Sequence, residues 1–202
     1  SAGWDGIVFL GRSPKPVYFF VDDDAYGLSD ASGVWGKTTW ETEELVKEEL
    51  GDDAVRVAAI GPAGESMVRI ANITNDRNRQ VGRTGMGSVM GSKMLKAVAA
   101  RGTGSVDVAD PDGLFQFSME LNERCKGPKT EKYRIYGTPV NVLVHQKLCC
   151  LPSYNFQRGT FEFAEEISGE RMLRTHVKKV IACTNCPIAC DHVNEVRDGP
   201  YK

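Results

Sequence analysis

The segment "ACTNCPIACDHV", residues 182–193, spaces its cysteines as Cys183-x2-Cys186-x3-Cys190. Thiolates bind soft metals, and a C-x2-C pair turns two sulfurs onto one metal or cluster. A structural zinc site ordinarily draws on two such knuckles, whereas here one knuckle is followed by a single further cysteine. A short run of three cysteines completed by a distant fourth is a common way to hold an iron–sulfur cluster. Pro187 suits a rigid turn around such a cluster. Three readings follow from the spacing: a [4Fe–4S] cluster, a zinc site completed by His192, or plain structural thiols. Cys125, Cys149 and Cys150 lie elsewhere and are expected to be buried free thiols.

The second chemically suggestive stretch is "GRTGMGSVMGSKMLKAVAARG", residues 82–102. A glycine-rich loop enters a helix, and Arg79, Arg83 and Lys93 surround Gly82, Gly85, Gly87 and Gly91. Backbone N–H groups beside arginines suit phosphate or pyrophosphate. The order of residues matches neither the P-loop nor the G-x-G-x-x-G dinucleotide fingerprint. On the helix, Met86, Val89, Met90 and Met94 share one face. Gly87, Ser88 and Gly91 share the adjoining one, where another backbone or a flat cofactor can come close. Tight helix–sheet packing accounts for the small residues equally well.

Several elements must position these residues. "GIVFLG" (6–11) and "PVYFFVD" (16–22) read as strands of a hairpin, and "DDDAYG" reads as a polar turn rather than a metal site. Thr38-x-x-Glu41 is a capping box opening a helix of about 12 residues. Leu45, Val46 and Leu50 form its apolar side, and Gly51 ends it. "AVRVAAIG" (54–61) and "SMVRIANI" (66–73) read as strands separated by a tight turn in "GPAGE". After residue 108 the texture becomes helical. Asp110-Pro111 starts one helix. Ser168 caps another, with Met172, Leu173, His176, Val177 and Val180 as its apolar stripe and His176 as a packed core residue.

The fold class expected is α+β, with a β-rich domain over 1–108 and a mostly helical one over 109–202. Lys and Arg number 25 against 27 Asp and Glu, a formal charge of −2 that argues against a nucleic-acid partner. No apolar run is long enough for a membrane span, and no signal peptide is read at the N-terminus. Six cysteines without secretory features point to a reducing compartment, the cytoplasm.

Four motifs occur together in order: "IGPAGESMVRIANI", "GRTGMGSVMGSKMLKAVAARG", "NFQRGTFEFAEEISGE" and "CTNCPIAC". As a set they resemble the aldehyde ferredoxin oxidoreductase family of tungsten enzymes, which includes the tungsten subunit of anaerobic benzoyl-CoA reductases. The resemblance implies that 1–108 is part of a β-sheet tungstopterin-binding domain. It makes 109–202 the start of the helical domain that carries the cluster motif. It also implies a tungsten bis-pyranopterin, a [4Fe–4S] cluster on Cys183, Cys186 and Cys190, and a magnesium ion bridging the pterin phosphates. Arg79, Gln80, Val81, Gly82, Arg83, Thr84 and Gly85 would line the pterin. The implied activity is oxidation of aldehydes to carboxylic acids with ferredoxin, or another electron-transfer subunit, as acceptor. Low-potential reduction of an aromatic acyl-CoA is the alternative, and a non-catalytic zinc-binding interaction module is the alternative of another class. Homo-oligomerisation is a further expectation. Thr84 departs from the family, which usually has glycine there. Family enzymes are about three times longer, so the chain reads as a fragment: the fourth cluster cysteine, the second pterin half and the catalytic acid–base residues lie downstream, and the remainder of the enzyme is an expected partner.

Overall fold

A computed structural model describes residues 1–200; the chain divides into two compact units, Ser1–Asp107 and Val108–Lys202. In the first, β1 (Val17–Asp22) and β2 (Ala25–Asp30) form a hairpin. They are followed by α1 (Thr39–Leu50), β3 (Arg56–Ala59), α2 (Pro62–Glu65), β4 (Ile73–Asn75), β5 (Arg79–Val81), α3 (Met86–Ser92) and β6 (Leu95–Arg101). The strands make one mixed sheet in the order β2-β1-β6-β3-β4-β5, with β1 parallel to β6 and every other pair antiparallel.

The central strands of the sheet are buried on both faces, so β1 carries a nearly continuous apolar run, while the edge strands β2 and β5 are largely exposed. Tyr18 joins Val46 of α1 with Val57, Ala59, Ala97 and Ala99 on one side. Val17, Phe19 and Val21 pack with Ile60, Met90 and Leu95 on the other. The start and stop of α1 follow the capping box: the Glu41 N–H donates to Thr38 Oγ1 at 3.3 Å, and the Thr38 N–H donates to Glu41 Oε2 at 2.8 Å. Gly51 closes the helix in the left-handed region at φ 69°. The buried side is Thr42, Glu43 and Val46; Leu45 is exposed, because the core-facing line runs one position off the expected one.

Three strand expectations need correction. Residues 6–11 form no strand: both edges of β1 are taken by β2 and β6, so the segment instead lays Phe9 edge-on against Phe19 at 5.2 Å. "GPAGE" is the one-turn helix α2 rather than a simple turn. Most of 66–73 is irregular, since its backbone bonds locally, with Val68 N–H on the Ala63 carbonyl and Ala71 N–H on the Val68 carbonyl. Only Ile73 starts a strand there, and it pairs with β5 in a short hairpin that sequence pattern did not reveal. Of "DDDAYG", only Asp23 and Asp24 form the expected turn: Asp22 ends β1 and pairs with Arg101 at 2.9 Å, Asp23 accepts the Thr103 N–H at 2.8 Å, and residues 25–27 open β2, a strand the sequence pattern did not reveal.

In the second unit α4 (Pro111–Cys125), α5 (Pro128–Tyr136), a 3-10 turn (Thr138–Val140), α6 (Asn141–Lys147) and α7 (Gly169–Thr175) precede a hairpin of β7 (Val177–Ile181) and β8 (Asp191–Asn194). Asp110 caps α4 by accepting the Gly113 N–H at 2.9 Å, and Ser168 caps α7 through the Arg171 N–H at 3.1 Å. The apolar stripe expected over 172–180 does not exist as a helix face. The helix stops at Thr175, and the β-branched Val177 and Val180 join a strand. His176 is exposed, not a core residue. Among the described residues, no helix is long and apolar enough to cross a membrane.

Candidate functional site

Two regions carry the chemically suggestive residues, one in each unit. In the first, β5 is an edge strand that delivers Arg79, Gln80 and Val81. Gln80 is committed locally: its Oε1 accepts from Asn72 Nδ2 at 2.6 Å and from Thr74 Oγ1 at 3.0 Å. Gly82, Arg83 and Thr84 then run exposed to Gly85, which is buried. Thr84 and Gly85 both adopt left-handed backbone, φ 67° and 69°. At position 84 a glycine would lie without cost, whereas threonine carries about 1 kcal/mol of strain. Gly85 cannot be replaced, because a Cβ there would sit 2.0 Å from the Arg69 carbonyl oxygen.

The small face of α3 is filled by backbone. A Cβ on Gly87 would lie 2.3 Å from the Asn72 oxygen, and one on Gly91 would lie 1.9 Å from the Gly64 oxygen. Tight packing therefore explains Gly87 and Gly91. The methionine face is mixed: Met90 is buried, while Met86 and Val89 are exposed. The exposed part of the region is the run from Gln80 to Thr84 and the start of α3.

In the second unit, the cysteine motif is the connection between β7 and β8, with Ile181 opposite Asp191 across its base. The Cys186 N–H donates to the Cys183 carbonyl at 3.0 Å, closing a four-residue turn. Asn185 supplies the left-handed residue of that turn at φ 56°. This is the knuckle that C-x2-C spacing demands. Cys183 is exposed, and Cys186 and Cys190 are half-buried. Cys183 and Cys186 line an open cavity of about 780 Å³ with Ser118, Leu121 and Cys125.

Cys125 is thus half-buried at the end of α4 and shares a cavity with the motif, while Cys149 and Cys150 are exposed; none is the buried free thiol expected. The signal was available at Asp110-Pro111, since the helix it starts runs 15 residues and ends on Cys125. His192 sits against Gly137, whose Cβ would lie 2.9 Å from His192 Nδ1, and neither ring nitrogen has a hydrogen-bond partner. Among the described residues, no three Cys, His, Asp or Glu side chains are gathered into a metal-holding set. A thiol-lined cavity beside a C-x2-C turn is chemically compatible with a soft iron–sulfur centre.

Family comparison covers most of the chain. Residues 1–102 match the model "Aldehyde ferredoxin oxidoreductase, N-terminal domain", and residues 116–202 match "Aldehyde ferredoxin oxidoreductase, domains 2 & 3". The tungsten-containing aldehyde ferredoxin oxidoreductase of Pyrococcus abyssi is 43% identical over 96% of this chain and 32% of its own length. That of Thermococcus kodakarensis is 42% identical over 98% of this chain and 34% of its own. The WOR-like subunit of an aliphatic sulfonate oxidoreductase from Pyrococcus furiosus is 34% identical over 100% of this chain and 34% of its own. Among solved structures, the active site complex BamBC of benzoyl coenzyme A reductase, in complex with 1,5-dienoyl-CoA, contains a chain with TM-score 0.73 and 31% identity. That match covers 98% of this chain and 32% of the other. The chain therefore spans about a third of the length of these relatives. With both family models matched in order along one chain, the protein belongs to the aldehyde ferredoxin oxidoreductase family.

Proposed function

We propose that this chain is part of a tungsten-dependent oxidoreductase that oxidises aldehydes to carboxylic acids, releasing two electrons and two protons per aldehyde and water consumed. The observation that carries the reading is the 43% identity to a tungsten-containing aldehyde ferredoxin oxidoreductase across nearly the whole chain. When bound, the tungsten bis-pyranopterin supplies the two-electron centre and a [4Fe–4S] cluster the one-electron relay toward ferredoxin or another electron-transfer subunit.

This chain's own residues bind and orient. Arg79 to Gly85 would line the pterin, exposed Arg83 would pair with one of its phosphates, and a backbone carbonyl of this loop would help to hold the magnesium ion. Cys183, Cys186 and Cys190 would supply three thiolate ligands to the cluster. The catalytic acid–base residues and the fourth cluster ligand come from the remainder of the enzyme. A cytoplasmic setting and a homo-oligomer complete the reading.

A second reading is favoured by the similarity to the BamBC chain: low-potential chemistry on an aromatic acyl-CoA. One experiment separates the possibilities. The full-length protein is purified without oxygen, its tungsten, iron, zinc and pterin are measured, and viologen reduction is followed with aldehydes and, separately, with a cyclic dienoyl-CoA. Tungsten, iron and aldehyde-dependent turnover are expected. Turnover with the dienoyl-CoA alone replaces the first reading by the second. Zinc without tungsten or iron overturns both in favour of a zinc module.

A further inference from the structure

We infer that Lys96 and Glu65 form a positioning pair for the Arg79–Gly85 loop, an inference that rests on reading this loop as the pterin-phosphate site. Lys96 is fully buried in the middle of the first unit. It is the residue that β1 passes over: Val17 lies opposite Leu95 and Tyr18 opposite Ala97, so the register skips Lys96 and its side chain is re-aimed at this irregularity. Its ammonium donates to the Lys37 carbonyl at 2.8 Å and to the Glu65 carboxylate. Glu65 is also buried, and both of its oxygens accept the Gly36 N–H at 2.9 Å. Burial pushes the Lys96 ammonium below its ordinary pKa, opposed by Glu65.

Stability alone does not call for this pair, since apolar residues of similar volume commonly stabilise such a site as well or better. What the pair does is fix the C-terminal end of α2. From there to the loop, the contacts are backbone on backbone. Gly64, next to Glu65, leaves room for α3: a Cβ on Gly91 would meet the Gly64 oxygen at 1.9 Å, and a Cβ on Gly64 would meet the Gly87 oxygen at 3.0 Å. The Gly87 N–H donates to the Ala71 carbonyl at 3.0 Å, and Gly85 abuts the Arg69 carbonyl. Because backbone packs directly on backbone at these points, displacement of α2 passes to Gly85 and to the loop it ends.

The test uses the full-length enzyme and three variants: K96M/E65Q, which neutralises the pair; E65D, which keeps its charge but shortens its reach; and V46A, which damages the core on the other face of the sheet. Amide exchange of residues 82–88 is expected to rise about tenfold in K96M/E65Q relative to V46A at matched melting temperature, and by a smaller factor in E65D. Tungsten and pterin content is expected to fall in the same order, with V46A retaining the wild-type level. Unchanged exchange in both pair variants, or an equal rise in V46A, overturns the inference. A wild-type enzyme that contains no tungsten instead overturns the reading of the loop, while the exchange comparison still decides the coupling. If K96M/E65Q does not fold, E65D against V46A decides it by the same criterion.

Discussion

The two units of this chain are built on different economies of burial. In Ser1–Asp107, both faces of the central strands of a six-stranded sheet are covered, and both hydrophobic clusters of the described residues lie there. In the second unit, α4, α5 and α6 contain no buried residue, and among the described residues the buried hydrophobic ones are Val140 and Ala164. Along α4, Leu114, Phe115, Phe117 and Met119 are each at least half exposed. The first unit has a self-sufficient core. The second is held by caps, turns and close backbone contacts, such as Gly169 against the Tyr136 carbonyl, where a Cβ would come within 2.8 Å. The contrast teaches that local signals such as caps suffice to specify helices, whereas a packed core depends on how much apolar surface the surrounding chain can cover.

Core truncation should separate the two units most sharply. Ile60→Ala, at a fully buried position, is expected to destabilise the chain by about 2–5 kcal/mol. Phe117→Ala in α4 is expected to change it by no more than about 0.5 kcal/mol in the 202-residue chain. Urea unfolding of both variants checks this. Equal losses would show that α4 is packed as tightly as the sheet.

A smaller effect follows from overpacking. Gly91→Ala places a methyl group against the Gly64 carbonyl and is expected to cost about 1–3 kcal/mol. Gly199→Ala, where a Cβ meets nothing within 4 Å, strains only its backbone at φ 91° and leaves the packing of either unit untouched. A thermal melt of each distinguishes interior packing from backbone preference. A harmless Gly91→Ala would mean that α2 and α3 are free to separate.

The smallest effect is electrostatic. The Thr38 backbone N–H, and then its hydroxyl, hold the Glu41 carboxyl below its ordinary value of 4.5. A carboxylate depressed in the folded state contributes stability above its unfolded pKa and loses it as pH falls through the folded one. Stability of the first unit should therefore decline as pH drops below 4.5, and Glu41→Gln should flatten that part of the profile. Following α1 by amide exchange between pH 5 and pH 3 gives the answer on the order of the unit's local stability. An identical slope in Glu41→Gln would remove the capping box from the account.

Sequence by itself determined the locally encoded features. Thr38, Glu41 and Gly51 delimit α1, Asp110-Pro111 and Ser168 start α4 and α7, and the Cys183–Cys186 spacing closes its turn, because each involves hydrogen bonds within a few residues. Family membership was legible too, in four motifs whose order runs along the chain. Only the tertiary structure decided which apolar runs became strands. "GIVFLG" and "SMVRIANI" have strand-like composition, yet both edges of β1 are taken by β2 and β6, and most of 66–73 bonds its backbone locally. The same holds for the buried Lys96–Glu65 pair and for Cys125 beside the cysteine turn. Their partners are 31 or more residues away in sequence, and no local pattern records which distant backbone will close over a charge or a thiol.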